Sequence, residues 1–383
     1  MPKRIALFTP FNPCTGGGGT IFRSLLPHLP GAETHWFYLS HAEAGIPAAT
    51  RLGPPLLGGP LATDTWNSVR LFVLRRHPAV LDYAKKIMAW APDIVWLNAM
   101  NEGLLMGPVL RRLGAPRLHV SVHDDPVGLA MKSRRYRHLA PFFDGCNRAL
   151  LRAATSVDVV SEPMQRYYKE RYGVAVEVVF RYIDHAAPRP AKAAAGSTIR
   201  VGHVGSAYSE PEVKAFLQAL RTIEGADGVQ FKLMTFGRSP FFESAAAEFP
   251  GLVEAAGDVS EDEAVSQLEQ CRFVYSMYPF EARYQIFRRT SLPTKMSTYL
   301  MAARPILAHC PPDSSIVATM SQFRLGVCVP SLAPNELVEG IRRILKFEPD
   351  ADDLRRATDH LCGRRNLDVL ESCFELAPAG SVA

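Results

Sequence analysis

Four consecutive glycines, Gly16, Gly17, Gly18 and Gly19, follow a short apolar run and open a helical pattern in TPFNPCTGGGGTIFRSLL. Backbone amides without side chains let a ligand approach closely, and the start of a helix favours an anion. The spacing is not G-x-G-x-x-G, and Ser40 ends the second apolar run where a ribose-binding acid would stand. No Gly-Lys-Ser/Thr follows, so the dinucleotide fingerprint and the Walker loop are both excluded. A plain flexible turn stays open. In SVHDDP, His123 and Asp124 fall at the end of another apolar run. A histidine there can hold a sugar hydroxyl or move a proton; a structural pair at a strand end is the alternative. In SLPTKMSTYLM, Pro293 and Thr294 start a helix and Lys295 lies in its first turn. A lysine there opposes the helix dipole unless something negative, such as a phosphate, sits beside it; a solvated lysine is the alternative. Upstream, FEARYQIFRRT places Glu281, Arg283, Arg288 and Arg289 in a polar stretch whose arginines can clamp a diphosphate or simply face water.

These residues need a scaffold. Buried strands are expected at Arg4–Pro10, His35–Leu39, Asp93–Asn98, Arg117–Asp124, Val157–Ser161 and Val176–Phe180. Helical patterns stand between them, including Ile21–Leu29, Thr65–Trp90 and Glu162–Tyr172. Near-continuous apolar strands separated by helices imply a parallel sheet covered on both faces. DHAAPRPAKAAAGS then reads as a linker over 184–198. The alternation restarts with strands at Thr198–Ser206, Gln230–Phe236, Leu252–Ala256, Phe273–Met277, Pro305–His309 and Gly326–Val329. Helices are expected at Pro211–Ile223, Thr294–Ala302 and Asn335–Lys346. The expectation is two tandem doubly wound α/β domains facing across a cleft, 1–183 and 199–351, with 352–376 crossing back to the first. Ligands of such sheets bind beyond the carboxyl ends of the strands.

Composition narrows the class. Of 383 residues, 47% are hydrophobic and 21% charged, which suits a folded globular chain. The formal net charge of +5 suits anionic ligands or membrane surfaces. Seven scattered cysteines without a C-x-x-C pair argue against a disulfide framework or a structural zinc, and no metal ligand set is expected. The first residues do not read as a signal peptide, and no run approaches the roughly 20 apolar residues of a membrane span. The expected location is cytoplasmic, with peripheral contact to the inner face of a membrane left open. Residues 69–77 and 131–143 mix cations with apolar side chains; they suit an anionic membrane, a charged acceptor or plain helix surface. No nucleic-acid-binding motif is present.

The order of landmarks resembles that of the GT-B-fold glycosyltransferases, the large retaining (family-four-type) group. TPFNPCTGGGGTIFRSLLPHL is similar to their N-terminal loop, SVHDDP to their strand-end histidine, and VDVVSEPMQRYYKERYGVAVEVVFRYID to the stretch before their interdomain linker. RVGHVGSAY is similar to the first strand of their nucleotide domain, and SLPTKMSTYLMAARPILAH to their donor motif. The resemblance covers roughly residues 4–346 and marks a divergent member. It implies transfer of a sugar from a nucleoside diphosphate-sugar co-substrate, retaining and metal-independent, in polysaccharide or glycoconjugate synthesis. No further cofactor is implied, and the acceptor is unknown. It places the diphosphate at Gly16–Gly19, Arg288, Arg289 and Lys295. The nucleoside and sugar fall at Gly205, Ser206, Gly237, Arg238, Glu281, Thr294 and Thr298, and the catalytic groups are His123 and Asp124. The two glutamates of the donor motif fall on Thr290 and Thr298, and Ser206 stands where an arginine is usual. The alternatives are a sugar-nucleotide epimerase of the same fold and a non-catalytic nucleotide-sugar-binding subunit.

Overall fold

The apolar runs become parallel strands, as side chains buried on both faces require. The computed structural model describes residues 2–184 and 197–376; most of the expected linker lies outside them. In chain order the elements begin β1 (Lys3–Thr9), α1 (Gly16–Leu25), β2 (Ala32–Leu39), β3 (Ala49–Gly53), α2 (Leu61–Ser68), α3 (Pro78–Ala89), β4 (Ile94–Asn98) and α4 (Gly103–Arg112). They continue with β5 (Arg117–Val122), α5 (Pro126–Lys132), α6 (Ala140–Ala153), β6 (Ser156–Val159), α7 (Glu162–Tyr172) and β7 (Glu177–Val178). The second series is β8 (Thr198–Val204), α8 (Glu210–Asp227), β9 (Gln230–Phe236), α9 (Pro240–Glu248), β10 (Val253–Gly257), α10 (Glu261–Leu268) and β11 (Phe273–Met277). After it come α11 (Gln285–Thr290), α12 (Lys295–Met301), β12 (Ile306–His309), α13 (Ser315–Gln322), β13 (Gly326–Val329), α14 (Pro334–Leu345), α15 (Ala351–Cys362) and α16 (Arg365–Phe374).

The chain forms two compact units. The first holds the seven-stranded sheet in the order β3-β2-β1-β4-β5-β6-β7, and the second a six-stranded sheet in the order β10-β9-β8-β11-β12-β13. All the pairings within them are parallel. In each sheet the order reverses beside its first strand, at β1/β4 and at β8/β11. These are the switch points where doubly wound sheets bind ligands.

The first unit is completed by chain that comes back late: residues 283–292 and the described residues from Arg364 to 376 belong to it. The segment expected to cross back, 352–376, holds two helices broken at Gly363, with α15 in the second unit and only α16 in the first. Asn366 of α16 accepts from the Phe180 amide at 2.8 Å and donates to the Arg181 carbonyl at 2.8 Å. The Phe374 ring packs edge-on against Trp96 (5.2 Å) and His119 (4.9 Å). Lys3 Nζ donates to the carbonyls of Phe374 and Glu375.

Each core is built from the strand faces. Ile5, Ala6, Leu7 and Phe8 of β1 are fully buried, and the Phe22 ring lies between Trp36 (5.8 Å) and Trp96 (5.0 Å). In the second unit Phe216 of α8 stacks on Tyr275 of β11 at 3.9 Å. Burial of each such ring contributes about 1.5–3 kcal/mol. The long helical pattern expected over Thr65–Trp90 is interrupted. A π-helical turn at Val69–Val73 follows α2, Arg75 takes a left-handed φ of 51°, and Pro78 opens α3. Pro78 has no amide hydrogen and cannot continue a helix from behind. The edge strand β3 was not expected; of its five residues only Leu52 is buried, and Thr50 and Arg51 are exposed.

Candidate functional site

In the second unit the carboxyl end of β8 runs into Gly205, whose φ of +78° suits only glycine without strain. The Gly205 amide bonds to the Phe236 carbonyl at 2.7 Å, which draws the Gly205–Ser206 turn against the Gly237–Arg238 turn. Arg238 itself is exposed and paired with Asp258 at 3.0 Å. Lys295 reaches this turn from the start of α12. It is only 7% exposed, with Nζ 3.4 Å from His203 Nε2, 3.4 Å from the Ser206 carbonyl and 4.6 Å from the centre of the Tyr208 ring. Among the described residues no carboxylate lies within ion-pair distance of it. Burial brings the Lys295 ammonium down to about 7. His203 Nδ1 must carry a proton, because it donates to the Tyr275 carbonyl at 2.9 Å. That leaves the Nε2 lone pair facing the lysine. Burial first, then the Lys295 charge, hold His203 well below its usual value, so it stays neutral. The site is a buried cation held by a neutral ring, a carbonyl and an aromatic face, with no built-in counter-charge.

Thr298, one helical turn on, donates to Glu261 Oε1 at 3.1 Å. This carboxylate, 37 residues away in sequence and so invisible to local spacing, stands beside the position where the resemblance implies a glutamate. Thr294 is half-buried at the start of α12, and Glu281 is exposed beyond β11. His203 and Tyr208 were also missed, although both flank the Gly205–Ser206 turn in RVGHVGSAY.

In the first unit the helix starts at Gly16, not near Ile21, so the glycine run is its first turn. Gly16 has a left-handed φ of +69°, and a Cβ on Gly19 would come within 2.4 Å of the Pro13 carbonyl oxygen. Packing by itself therefore requires glycine at Gly19, where the loop before α1 closes on the helix. His123 follows β5, half-buried, with its ring 4.7 Å from Phe22. Burial lowers its pKa, and Nδ1 is enclosed without a hydrogen-bond partner among the described residues. Asp124 accepts from Ser291 Oγ, which ties it to the returning 283–292 segment. Arg288 and Arg289 sit on that segment, in α11, Arg288 buried and Arg289 exposed. They belong to the first unit and Lys295 to the second. Ser161 Oγ donates to the Thr290 carbonyl at 2.5 Å, and Lys132 Nζ lies 3.8 Å over the Phe287 ring, so α11 is held on α5 and α7.

Beyond the carboxyl end of β4, Glu102 is fully buried. Its Oε1 accepts from the Leu56 amide at 2.6 Å, and Oε2 has no partner among the described residues. Burial pushes its carboxyl up to about 7 from 4.5. The folded state then binds the proton more tightly than the unfolded chain, so this group's contribution to stability falls as pH rises from 4.5 to about 7. Glu102→Gln keeps the Leu56 acceptor and removes the charge. We expect it to stabilise the protein by about 2–3 kcal/mol at about pH 8 and by nothing at about pH 4. Thermal melts at the two pH values check this; equal effects at both would mean that the carboxyl is not buried in its charged form.

No protein-family model and no curated protein sequence matches this chain. Solved structures are similar to it over nearly its whole length. AviGT4, a glycosyltransferase involved in avilamycin A biosynthesis, matches at 16% identity and a TM-score of 0.53, covering 98% of this chain and 97% of its own. The lipopolysaccharide outer core galactosyltransferase WaaB matches at 11% identity and a TM-score of 0.63, covering 97% and 99%. An α,α-trehalose-phosphate synthase (UDP-forming) from Burkholderia vietnamiensis matches at 12% identity and a TM-score of 0.65, covering 98% and 99%. The two parallel-sheet α/β units are thus those of the GT-B fold, and at these identities the likeness is one of fold.

Proposed function

We propose that this chain is a glycosyltransferase that moves a sugar from a nucleoside diphosphate-sugar to an acceptor, with retention of configuration and without a metal. The observation that carries the reading is Lys295. A buried ammonium near half-protonation, with no carboxylate partner among the described residues, is electrostatically incomplete, and a diphosphate supplies what it lacks. In the reaction the bond from the anomeric carbon to the diphosphate oxygen breaks. Lys295 and the Gly205–Ser206 turn then meet the charge that develops on the leaving group. Thr298 and Glu261 offer the ribose hydroxyls an acceptor, and Gly237, Arg238, Thr294 and Glu281 surround the nucleoside and sugar. His123, whose enclosed Nδ1 has no partner among the described residues, is the acceptor-side group; Asp124 is its neighbour in sequence. The diphosphate role expected for Gly16–Gly19, Arg288 and Arg289 stays part of the proposal, as first-unit groups. The fold neighbours are named for avilamycin A biosynthesis, the lipopolysaccharide outer core and UDP-forming trehalose-phosphate synthesis, which supports the donor class and leaves the acceptor open. Any contact with a membrane belongs to the basic, apolar segments of the first unit.

Thermal melts with UDP, GDP, dTDP, ADP and CDP, each with and without magnesium, test this. One base should raise the melting temperature regardless of magnesium, its binding adding about 2.7 kcal/mol of stability at a hundredfold excess over Kd. Binding should also take up about half a proton per site near pH 7, as Lys295 regains its full charge beside the diphosphate. Calorimetry in buffers of different ionisation enthalpy reads that number. No shift with any base would sink the donor assignment. A shift without transfer or hydrolysis of the corresponding sugar nucleotide would favour the second reading, a non-catalytic binding subunit. Thr290 favours that second reading: in the place of a glutamate, its hydroxyl is spent on the Ile286 carbonyl.

A further inference from the structure

A groove of about 470 Å³ opens in the first unit between the start of α3 and α4, within the roughly 300–1,000 Å³ that small-molecule sites occupy. Its walls are apolar, formed by Leu81, Leu105, Val109 and Leu113. Its mouth is cationic: Arg75, Arg76 and Arg112 line it, and all three are exposed. Among the described residues, none of the three lies within ion-pair distance of a carboxylate.

The chain that leads into the groove has the same dual character. Leu61 (65% exposed), Leu74 (55%), Trp66 (53%) and Leu81 (43%) stand in solvent, and the Arg70 guanidinium lies 4.8 Å over the Trp66 ring. The 131–143 segment joins this face, since Phe72 stacks on Phe143 at 3.8 Å and Arg135 bonds to Asp64 at 3.1 Å. It adds exposed Arg134, Arg137 and Phe142. Across 61–77 and 131–143 the one acidic residue is Asp64, which is buried and already paired.

A free anion would satisfy the arginines and leave the apolar wall wet. A neutral apolar ligand would do the reverse. The headgroup region of an anionic bilayer matches both, because arginine stems lie along apolar surface while their guanidinium forks bind phosphate. We propose that this face docks the first unit on an anionic phospholipid bilayer, with one acyl chain in the groove and its phosphate among Arg75, Arg76 and Arg112. The inference rests on placing membrane contact at these basic segments and does not depend on the donor chemistry.

Sedimentation of the full chain with vesicles tests it. Binding should occur to phosphatidylcholine mixed with phosphatidylglycerol, fall with added salt, and be nearly absent on phosphatidylcholine alone. Each arginine near such a surface contributes about fivefold, so R75E with R76E should weaken partitioning at least about 25-fold. W66S with L74S should weaken it with the charge unchanged. Melting curves read by circular dichroism, unaltered in both double variants, would show that these losses are not unfolding. No binding to the anionic vesicles overturns the proposal, including the case in which an acidic protein binds this face instead. Parental binding by both double variants also overturns it.

Discussion

Lys295→Met is expected to give a protein that melts higher than the parent and no longer responds to any nucleoside diphosphate. Methionine fills the same channel beside His203 and Tyr208 without bringing a charge into it. Removing an uncompensated buried charge is expected to stabilise the ligand-free protein by about 1–4 kcal/mol, or about 2–4 °C for each kcal/mol. The sign of the pH dependence checks the mechanism. The unfolded chain holds the lysine proton up to 10.5 and the folded chain only to about 7, so parental stability rises with pH across that window. The variant should lose this rise. Transfer should fall about 10²–10³-fold, the usual cost of one preorganised group facing developing negative charge. A variant that keeps a parental nucleotide shift would remove the phosphate from Lys295 altogether.

Asp158→Ala should be the most damaging single change in the first unit. Asp158 Oδ2 lies 2.6 Å from His119 Nε2 and accepts from Ser121 Oγ, whose oxygen in turn takes the Trp96 indole N–H at 2.6 Å. Both members of the pair are almost fully buried. Burial pulls the His119 pKa down, but its hydrogen bonds to Asp158 and Cys373 more than reverse this and hold it at about 9. Removing the carboxylate strands a buried imidazolium, at a cost of about 3–5 kcal/mol. In the parent, His119 binds its proton more tightly folded than unfolded. Its contribution is complete below 6.5 and is lost as pH rises through about 9. Urea titrations at several pH values should show the Asp158→Ala deficit shrinking over that window. A deficit below about 1 kcal/mol, or one independent of pH, would mean that the histidine is neutral. Replacing both residues with apolar ones of similar volume should cost far less than the single change.

How legible each part was follows from where its information lies. Strands such as Asp93–Asn98 and Phe273–Met277 could be read because their burial on both faces writes an unbroken apolar run. Strand β3 could not, because ATRLG sits at a sheet edge with one buried side chain in five. Lys295 stood out because a lysine at a helix start is locally unfavourable; the structure adds that it is buried, which no spacing rule reveals. Glu261 lies 37 residues before Thr298 and meets it only through the fold. The same limit applies to Arg288 and Arg289. Three residues before the donor-like motif, nothing local tells that this turn of helix packs on α5 and α7 of the first unit.

That returning segment and α16 set an order of maturation that runs against the order of synthesis. The second unit has all its residues once Gly363 has been added, whereas the first still lacks Asn366 and Phe374. A ribosome adding about 5–20 residues per second takes about 10–40 s to travel from β7 to the end of α16. Throughout that interval the Trp96 and His119 rings on the nascent chain have no Phe374 to cover them. The unit begun first is therefore the last to close.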